Sequence, residues 1–367
     1  MSKEIKCSVC GATLTEETSH TFDGHTMCEH CFTEKTTVCE CCGERIWCSD
    51  AEGDSCVTLC HSCYEYNYST CEDCGRLIHN DDAQYEDDSD YPYCIECFER
   101  LQSRVINSYY YKPTPIFYGE GSLFYGIELE IDKGGEFEEK AQILLNIANN
   151  HNEHMYCKHD GSLSDGLELT THPHTYKQML KDISWQELFD KAIELGYRSH
   201  NSTTCGYHIH VSRNAFGGTR EEQEETIARI VHFVELHWNE LLKFSRRTEA
   251  SINRWACRYG ISTKVCDTYK NAKDKHLGRY SAVNLEPFDT IEFRLFRGTL
   301  KLSTFIATLQ LVDEICTLAI LLSDKDFENM SWSEFVTRIP GEKTELINYL
   351  KSKRLYVNEP QTEQEEI

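Results

Sequence analysis

The 367-residue chain has no long uninterrupted apolar run. Its most apolar stretch, 315–322, is far too short to span a bilayer. The opening residues, Met1 to Lys6, lead into no signal-peptide core, so the protein is expected in the cytoplasm. Positive charge is scarce, with 37 Lys and Arg against 61 Asp and Glu and a formal net charge of −24. The deficit is concentrated in front. Residues 1–100 carry 6 basic against 22 acidic side chains, a formal −16, and the remaining 267 carry 31 against 39, a formal −8. A surface so acidic repels phosphates, which excludes a nucleic-acid partner held by an electrostatic footprint. Glycine-rich phosphate loops are also missing. Gly119 and Gly121 lack the strand before them and the spacing after them of a dinucleotide fingerprint, and no Gly-x-x-x-x-Gly-Lys occurs.

Cysteine is abundant instead, and 15 of the 20 lie before residue 98. In a reducing cytosol such density at close spacing reads as metal and not as disulfides. The pairs Cys7/Cys10, Cys39/Cys42 and Cys71/Cys74 recur at a period of 32, each followed by glycine. Each has a second pair, Cys28/Cys31, Cys60/Cys63 and Cys94/Cys97, after gaps of 17, 17 and 19 residues. Two-residue spacing turns both thiolates of a tight loop toward one ion, and the glycine permits the loop's positive φ. Two such knuckles complete a tetrahedral site of four cysteines, so 1–100 is expected to be three tandem structural zinc modules. His25, three residues before Cys28, suggests a His ligand, but Val57 and Tyr91 hold the matching positions of the other copies. Cys41, Cys48 and Cys56 are left over. Modules this small bury too little apolar surface to fold alone, so the metal supplies folding free energy. Closed sites of this kind serve protein recognition rather than catalysis.

Residues 101–122 are expected to be a linker, because Pro113 and Pro115 favour extended backbone. A second domain at 123–358 and a disordered acidic tail at 359–367 follow. Alternation predicts strands at 124–132, 205–213, 279–285 and 290–295 and a hairpin of 156–163 with 166–171. Helical spacing predicts helices at 136–150, 178–195, 220–246 and 303–322. Hairpins outnumber strand–helix–strand units, so the fold class is α+β: an antiparallel sheet with helices packed on one face.

Side chains two apart on a strand share a face. That pairs Glu128 with Glu130, His208 with His210 and Glu292 with Arg294, and the hairpin adds Asp160 and Glu168. Each pair alone is ordinarily a solvated face. Yet Ile127, Leu129 and Ile131 alternate with the glutamates, and Ile209 and Val211 with the histidines, as clean apolar partners. If those apolar sets pack under helices, the charged sets gather on the sheet's other side, which is costly without bound cations. Many oxygens and few nitrogens suit Mg²⁺ or Mn²⁺ better than catalytic zinc. Cys205 is read as packing, as are Cys157, Cys257, Cys266 and Cys316.

The segments around Gly126–Glu130, Asp160–Glu168, Cys205–Val211, Arg279–Leu285 and Thr290–Arg294, in that order, resemble the amidoligase family of the carboxylate–amine ligase superfamily, which includes glutamine synthetase and glutamate–cysteine ligase. The resemblance covers roughly residues 109–320 and leaves the cysteine repeats outside. It implies a curved sheet holding ATP and two or more Mg²⁺ ions on its concave face. Glu128, one of His208 and His210, and Glu292 would hold one ion; Glu130, Glu168 and Asp160 would hold another. Arg294 would meet the transferring phosphate, Arg279 and Asn284 would bind nucleotide or an acceptor carboxylate, and a carboxylate or His210 would take the amine's proton. The expected partners are ATP, a carboxylate and an amine, with protein or peptide as a substrate class. Two other readings of the residues compete. A metal hydrolase using His208 and His210 leaves the glutamates idle, and a non-catalytic zinc scaffold leaves intact motifs without a role.

Overall fold

The computed structural model describes residues 5–86, 89–102, 104–202, 204–275 and 277–357. It divides into two compact units, Met1–Arg104 and Val105–Ile367. The tail expected at 359–367 lies outside the described residues.

The first unit repeats one motif three times. The first cysteine pair of each copy sits in a tight turn whose following glycine has positive φ: +77° at Gly11, +74° at Gly43 and +71° at Gly75. A side chain there meets no neighbour but strains the left-handed backbone, which is why glycine recurs. The second pair opens a short helix: Glu29–Lys35, His61–Asn67 and Ile95–Gln102. Cys28 and Cys60 are the residues before their helices, and their sulfurs accept from the backbone N–H of Cys31 and Cys63. A helix start suits thiolates because its free N–H groups favour negative charge. Each copy has its own small core, such as Met27 with Leu14, Phe22 and Phe32 in the first.

In the second unit, strand β1 is Ile106–Asn107, β2 Phe124–Ile131, β3 Met155–Lys158, β4 Leu167–Thr171, β5 His174–Thr175, β6 Gly206–Ser212, β7 Val283–Asn284 and β8 Thr290–Arg297. They form one sheet in the order β1-β3-β4-β2-β6-β8-β7, with β5 also paired to β2. The sheet is mixed, correcting the antiparallel expectation. β1 runs parallel to β3, and the other pairings are antiparallel. Strand β1 of the parallel pair comes from within 101–122, so that stretch is built into the second unit in part. Helix α1 is Glu138–Asn149, α2 Trp185–Glu194, α3 Arg220–Leu236, α4 Trp238–Ser245 and α5 Leu302–Leu321.

Alternation sorts the strands as read. Ile127, Leu129, Ile131, Leu169, Tyr207, Ile209, Val211, Ile291 and Phe293 are fully buried in the core shared with the helices. Tyr207 stacks on Phe305 of α5 at 4.7 Å, and Phe244 of α4 meets Phe296 of β8. A bulge interrupts the pairing of β6 with β8, between Tyr207, opposite Phe296, and Ile209, opposite Phe293. It lets Phe293, Leu295 and Phe296 all be buried.

Three expectations give way. The helix read at 220–246 breaks at His237, whose ψ of 32° ends α3 and starts α4. The strand read at 279–285 shrinks to Val283–Asn284, because Gly278–Tyr280 forms a helical turn. And α5 is long and apolar enough by length and composition to cross a membrane, with 72% of its most apolar window buried inside the protein. Asp313 and Glu314 interrupt that helix in sequence, but Glu314 is buried against Lys343 at 2.7 Å.

Candidate metal and active sites

The cysteines close into three groups, Cys7/Cys10/Cys28/Cys31, Cys39/Cys42/Cys60/Cys63 and Cys71/Cys74/Cys94/Cys97. Sulfur–sulfur separations of 3.8 Å (Cys10–Cys28) and 3.9 Å (Cys42–Cys60 and Cys74–Cys94) match the edge of a tetrahedron with metal–sulfur bonds of about 2.3 Å, roughly 3.8 Å. The ligand sets therefore fit zinc. N–H groups of Cys10 and Cys28 aimed at Cys7 hold its thiol down to about 6, favouring thiolate. His25 packs edge-on against Trp47. Cys48 and Cys56 are exposed, and Cys41 accepts from the Asn67 side chain at 3.5 Å.

The second site is the polar face of the sheet, where register decides which side chains meet. Glu128 stands opposite Thr170 on one side and His208 on the other. Glu130 is opposite Glu168, and Glu168 opposite Lys158. His210 is opposite Glu292, and Glu292 opposite Asn284. Glu130, Glu168, His208 and Glu292 keep only 3–5% of their surface exposed.

Their contacts form one network. His208 Nδ1 lies 3.4 Å from Glu128 and 3.5 Å from Glu292, while its Nε2 is 3.8 Å from Glu130. Lys158 pairs with Glu168 at 2.9 Å, and Thr170 Oγ1 donates to the same oxygen at 2.8 Å. Arg294 donates to Glu292, whose other oxygen accepts from Asn284 at 2.8 Å. The Gly206 N–H donates to Glu130. No larger residue fits at Gly206, since a Cβ would stand 2.4 Å from the His208 ring and 2.8 Å from Arg247.

His210 is the telling residue. Its Nδ1 is 3.1 Å from Thr290 Oγ1, leaving Nε2 buried with no hydrogen bond. That nitrogen points at Glu128 Oε1, 3.3 Å away, and Glu292 Oε1, 3.9 Å away. Three acceptor atoms facing one another need a proton or a cation between them. Glu128, His210 and Glu292 offer one ligand atom each within 4.8 Å, so this donor set fits a divalent cation.

The charges respond accordingly. Burial works against protonating His210, yet Glu128 and Glu292 push it up to about 9. Burial also acts to raise Glu128, but His210 and His208 pull it well below the usual carboxylate range. Glu130 is pushed up to about 8 by burial and then by Asp160 and Glu168. Glu168 is pushed up to about 7 by burial and Glu128, against the pull of Lys158. A second cluster of crowded carboxylates thus stands beside the first, as expected where positive charge is to be received.

Not every anticipated residue joins. Asp160 acts on Glu130 through charge, while its Oδ1 caps the Ser162 N–H at 2.7 Å. Arg279 is exposed and bonds to the hydroxyls of Tyr109 and Tyr280, with no bond to the polar face among the described residues. Asn284 is present, but as the partner that holds Glu292. Three groups were not anticipated. Lys158 was legible, lying on the arm of the hairpin opposite Glu168. Arg247, mostly buried and charge-coupled to Glu130, follows the end of α4 and has no local signal. Asp132 ties the site's loops, accepting from Asp165 N–H at 2.8 Å and Thr204 Oγ1 at 2.7 Å.

Residues 146–316 match the family model described as "Putative amidoligase enzyme". This stretch of the chain is similar to the amidoligase family. It contains Asp160, Glu168, His208, His210, Asn284, Glu292 and Arg294. Glu128 and Glu130 precede it, but their strand is paired on both sides by strands of the matched stretch, β4 and β6. No curated protein matches the sequence. Among solved structures, a bifunctional glutathione synthetase from Pasteurella multocida is 12% identical with a TM-score of 0.34, over 65% of this chain and 45% of that one. The chain thus spans less than half of that protein, and so low a score leaves the functional argument to the site itself.

Proposed function

We propose that the second unit is an ATP- and Mg²⁺- or Mn²⁺-dependent carbon–nitrogen ligase that joins a carboxylate to an amine. The observation that carries this reading is His210 Nε2, buried without a hydrogen bond and aimed at two carboxylates, in a stretch similar to the amidoligase family. A carboxylate does not react with an amine until it is activated. Transfer of the γ-phosphoryl group breaks the β–γ bridging bond of ATP, forms an O–P bond to the substrate carboxylate and releases ADP. The amine nitrogen then attacks the acyl carbon, the C–N bond forms, phosphate leaves and a carboxylate of the face takes the amine's proton. Divalent ions, when bound, neutralise phosphate charge and clamp the in-line geometry.

Each residue has a role on this reading. Glu128, His210 and Glu292 hold one ion, with His208 packed behind them. Glu130 and Glu168, with Asp160 at the rim, hold the other. Lys158 and Arg247 balance that second carboxylate cluster. Arg294, anchored on Glu292, faces charge developing on the transferred group. The three four-cysteine modules each carry a zinc ion and recruit a protein, either the substrate or a partner, in the cytoplasm. A hydrolase built on His208 and His210 needs no nucleotide, so the test is calorimetry of ATP with and without Mg²⁺ on wild type and Glu128→Gln. Mg²⁺-dependent binding that weakens in the variant is expected. Equal binding in all four combinations, or none, would refute the ligase reading.

A further inference from the structure

Away from the polar face, the second unit contains a cleft of about 590 Å³. Its walls come from the end of α2 and the turn after it, the junction of β8 with α5, and the helix Thr344–Ser352. None of its lining residues belongs to the carboxylate network. In a chain of net charge −24, four cations line it, Arg198, Arg246, Lys301 and Lys353, against one carboxylate, Glu345. Like charges gathered in one concavity repel one another, a cost relieved when an anion enters.

Arg246 and the start of α5 add to this lining. Arg246 is the residue that ends α4, in the left-handed conformation common at helix C-termini. Its terminal nitrogens are anchored, one donating to the Arg297 carbonyl at 2.7 Å and one 3.3 Å from His200 Nδ1, yet its Nε is buried without a partner. And α5 begins at the cleft. Its N-cap residue, Lys301, makes no side-chain cap bond, and first-turn residues Ser303 and Thr304 line the wall. A 20-residue helix thus turns its uncapped N-terminus toward four cations.

We propose that this cleft is a second ligand site, specific for a small phosphate-bearing molecule. The chemistry favours phosphate over a single carboxylate. Helix-start amides, hydroxyls and lysine point charges together suit a group with several acceptor oxygens and more than one negative charge. The volume falls in the usual range for small-molecule sites, about 300–1,000 Å³, and exceeds what one inorganic phosphate fills. The cleft uses none of the polar-face residues and needs no divalent ion, so it is independent of the ligase reading.

The experiment is calorimetry of inorganic pyrophosphate with the full-length protein in Mg²⁺-free buffer. Wild type is expected to bind one equivalent, with affinity falling as salt rises. Lys301→Ala/Lys353→Ala should bind at least about tenfold more weakly, as should Arg198→Glu on a separate wall, each with a melting temperature close to wild type. Arg294→Ala should bind as wild type does. No binding by wild type overturns the proposal. So does binding that survives both cleft variants or disappears in Arg294→Ala, since the anion would then sit on the polar face. The ligase reading stands or falls separately, on Mg²⁺-dependent binding of ATP.

Discussion

At the scale of single residues, the polar face combines two kinds of group that mutation should separate. Glu128 and Glu292 supply charged oxygens to the pocket around His210 Nε2. Glu128→Gln or Glu292→Gln is expected to weaken Mg²⁺ or Mn²⁺ affinity by at least about tenfold in a direct metal titration. Arg294 offers no ligand atom and acts on charge that appears during transfer. Arg294→Ala should therefore leave metal affinity near wild type and lower turnover by on the order of 10²–10³ in a steady-state ADP-release assay. Equal metal affinity in all three variants would contradict the division of roles. Lys158 makes a different case. It is nearly buried against Glu168, and Lys158→Met leaves that carboxylate among Glu128 and Glu130 without its counter-charge. Loss of one partner of a buried pair costs about 3–5 kcal/mol, readable as a lower denaturation midpoint in metal-free buffer. Added Mg²⁺ should recover part of that loss if Glu168 faces a cation site.

At the scale of elements, the junction of α3 and α4 shows packing overriding pattern. The apolar spacing Ile230, Val234, Trp238, Leu241 continues smoothly through position 237, so one helix was expected. In the fold, the His237 ring packs against Phe233 at 4.6 Å and Trp332 at 5.5 Å, and the chain bends there. The residue is 5% exposed, and burial pushes its proton affinity down from 6.5 to about 4, partly offset by a hydrogen bond to the Met330 backbone. The unfolded chain then binds a proton more readily than the folded one between those values. His237 is neutral and without penalty above pH 6.5, and stability falls as pH drops from 6.5 toward 4, by up to about 3 kcal/mol. Chemical denaturation at pH 7 and pH 5 should show this loss, and His237→Gln should make it smaller, leaving the share of His174, which burial also lowers to about 4. An unchanged pH slope in the variant would assign the acid sensitivity elsewhere.

At the scale of the whole molecule, two units depend on different forces. The second has a continuous apolar core, from Ile127 and Tyr207 in the sheet to Phe305 and Leu309 in α5. Among the described residues the first has small clusters around each cysteine set, and so little apolar burial predicts that its folding depends on metal. Elemental analysis of the purified protein should find three zinc ions per chain, and two in Cys71→Ser. A zinc-selective chelator, with Mg²⁺ kept in excess, should melt the repeats while the nucleotide response of the second unit persists. One zinc or none per chain would refute the module reading.

The cysteine ligand sets could be read directly because their geometry is local. Two thiolates three positions apart, with a glycine free to adopt positive φ, define half a tetrahedron wherever they occur. The membership of the polar face was also legible, since strand alternation alone puts Glu128 with Glu130 and His208 with His210. What alternation leaves open is which strands are neighbours. Only the assembled sheet sets β2 between β4 and β6, and so brings Glu128 within 3.3 Å of His210 and Glu130 opposite Glu168. Only packing decided that β1 joins in parallel, that the β6–β8 bulge buries Phe296, and that Arg247 comes up behind Glu130. Arg279 fell away from the expected site for the same reason. Side-chain direction along a strand follows from backbone geometry residue by residue. Strand order, register and the meeting of distant loops depend on which apolar surfaces bury one another best, a property of the whole chain.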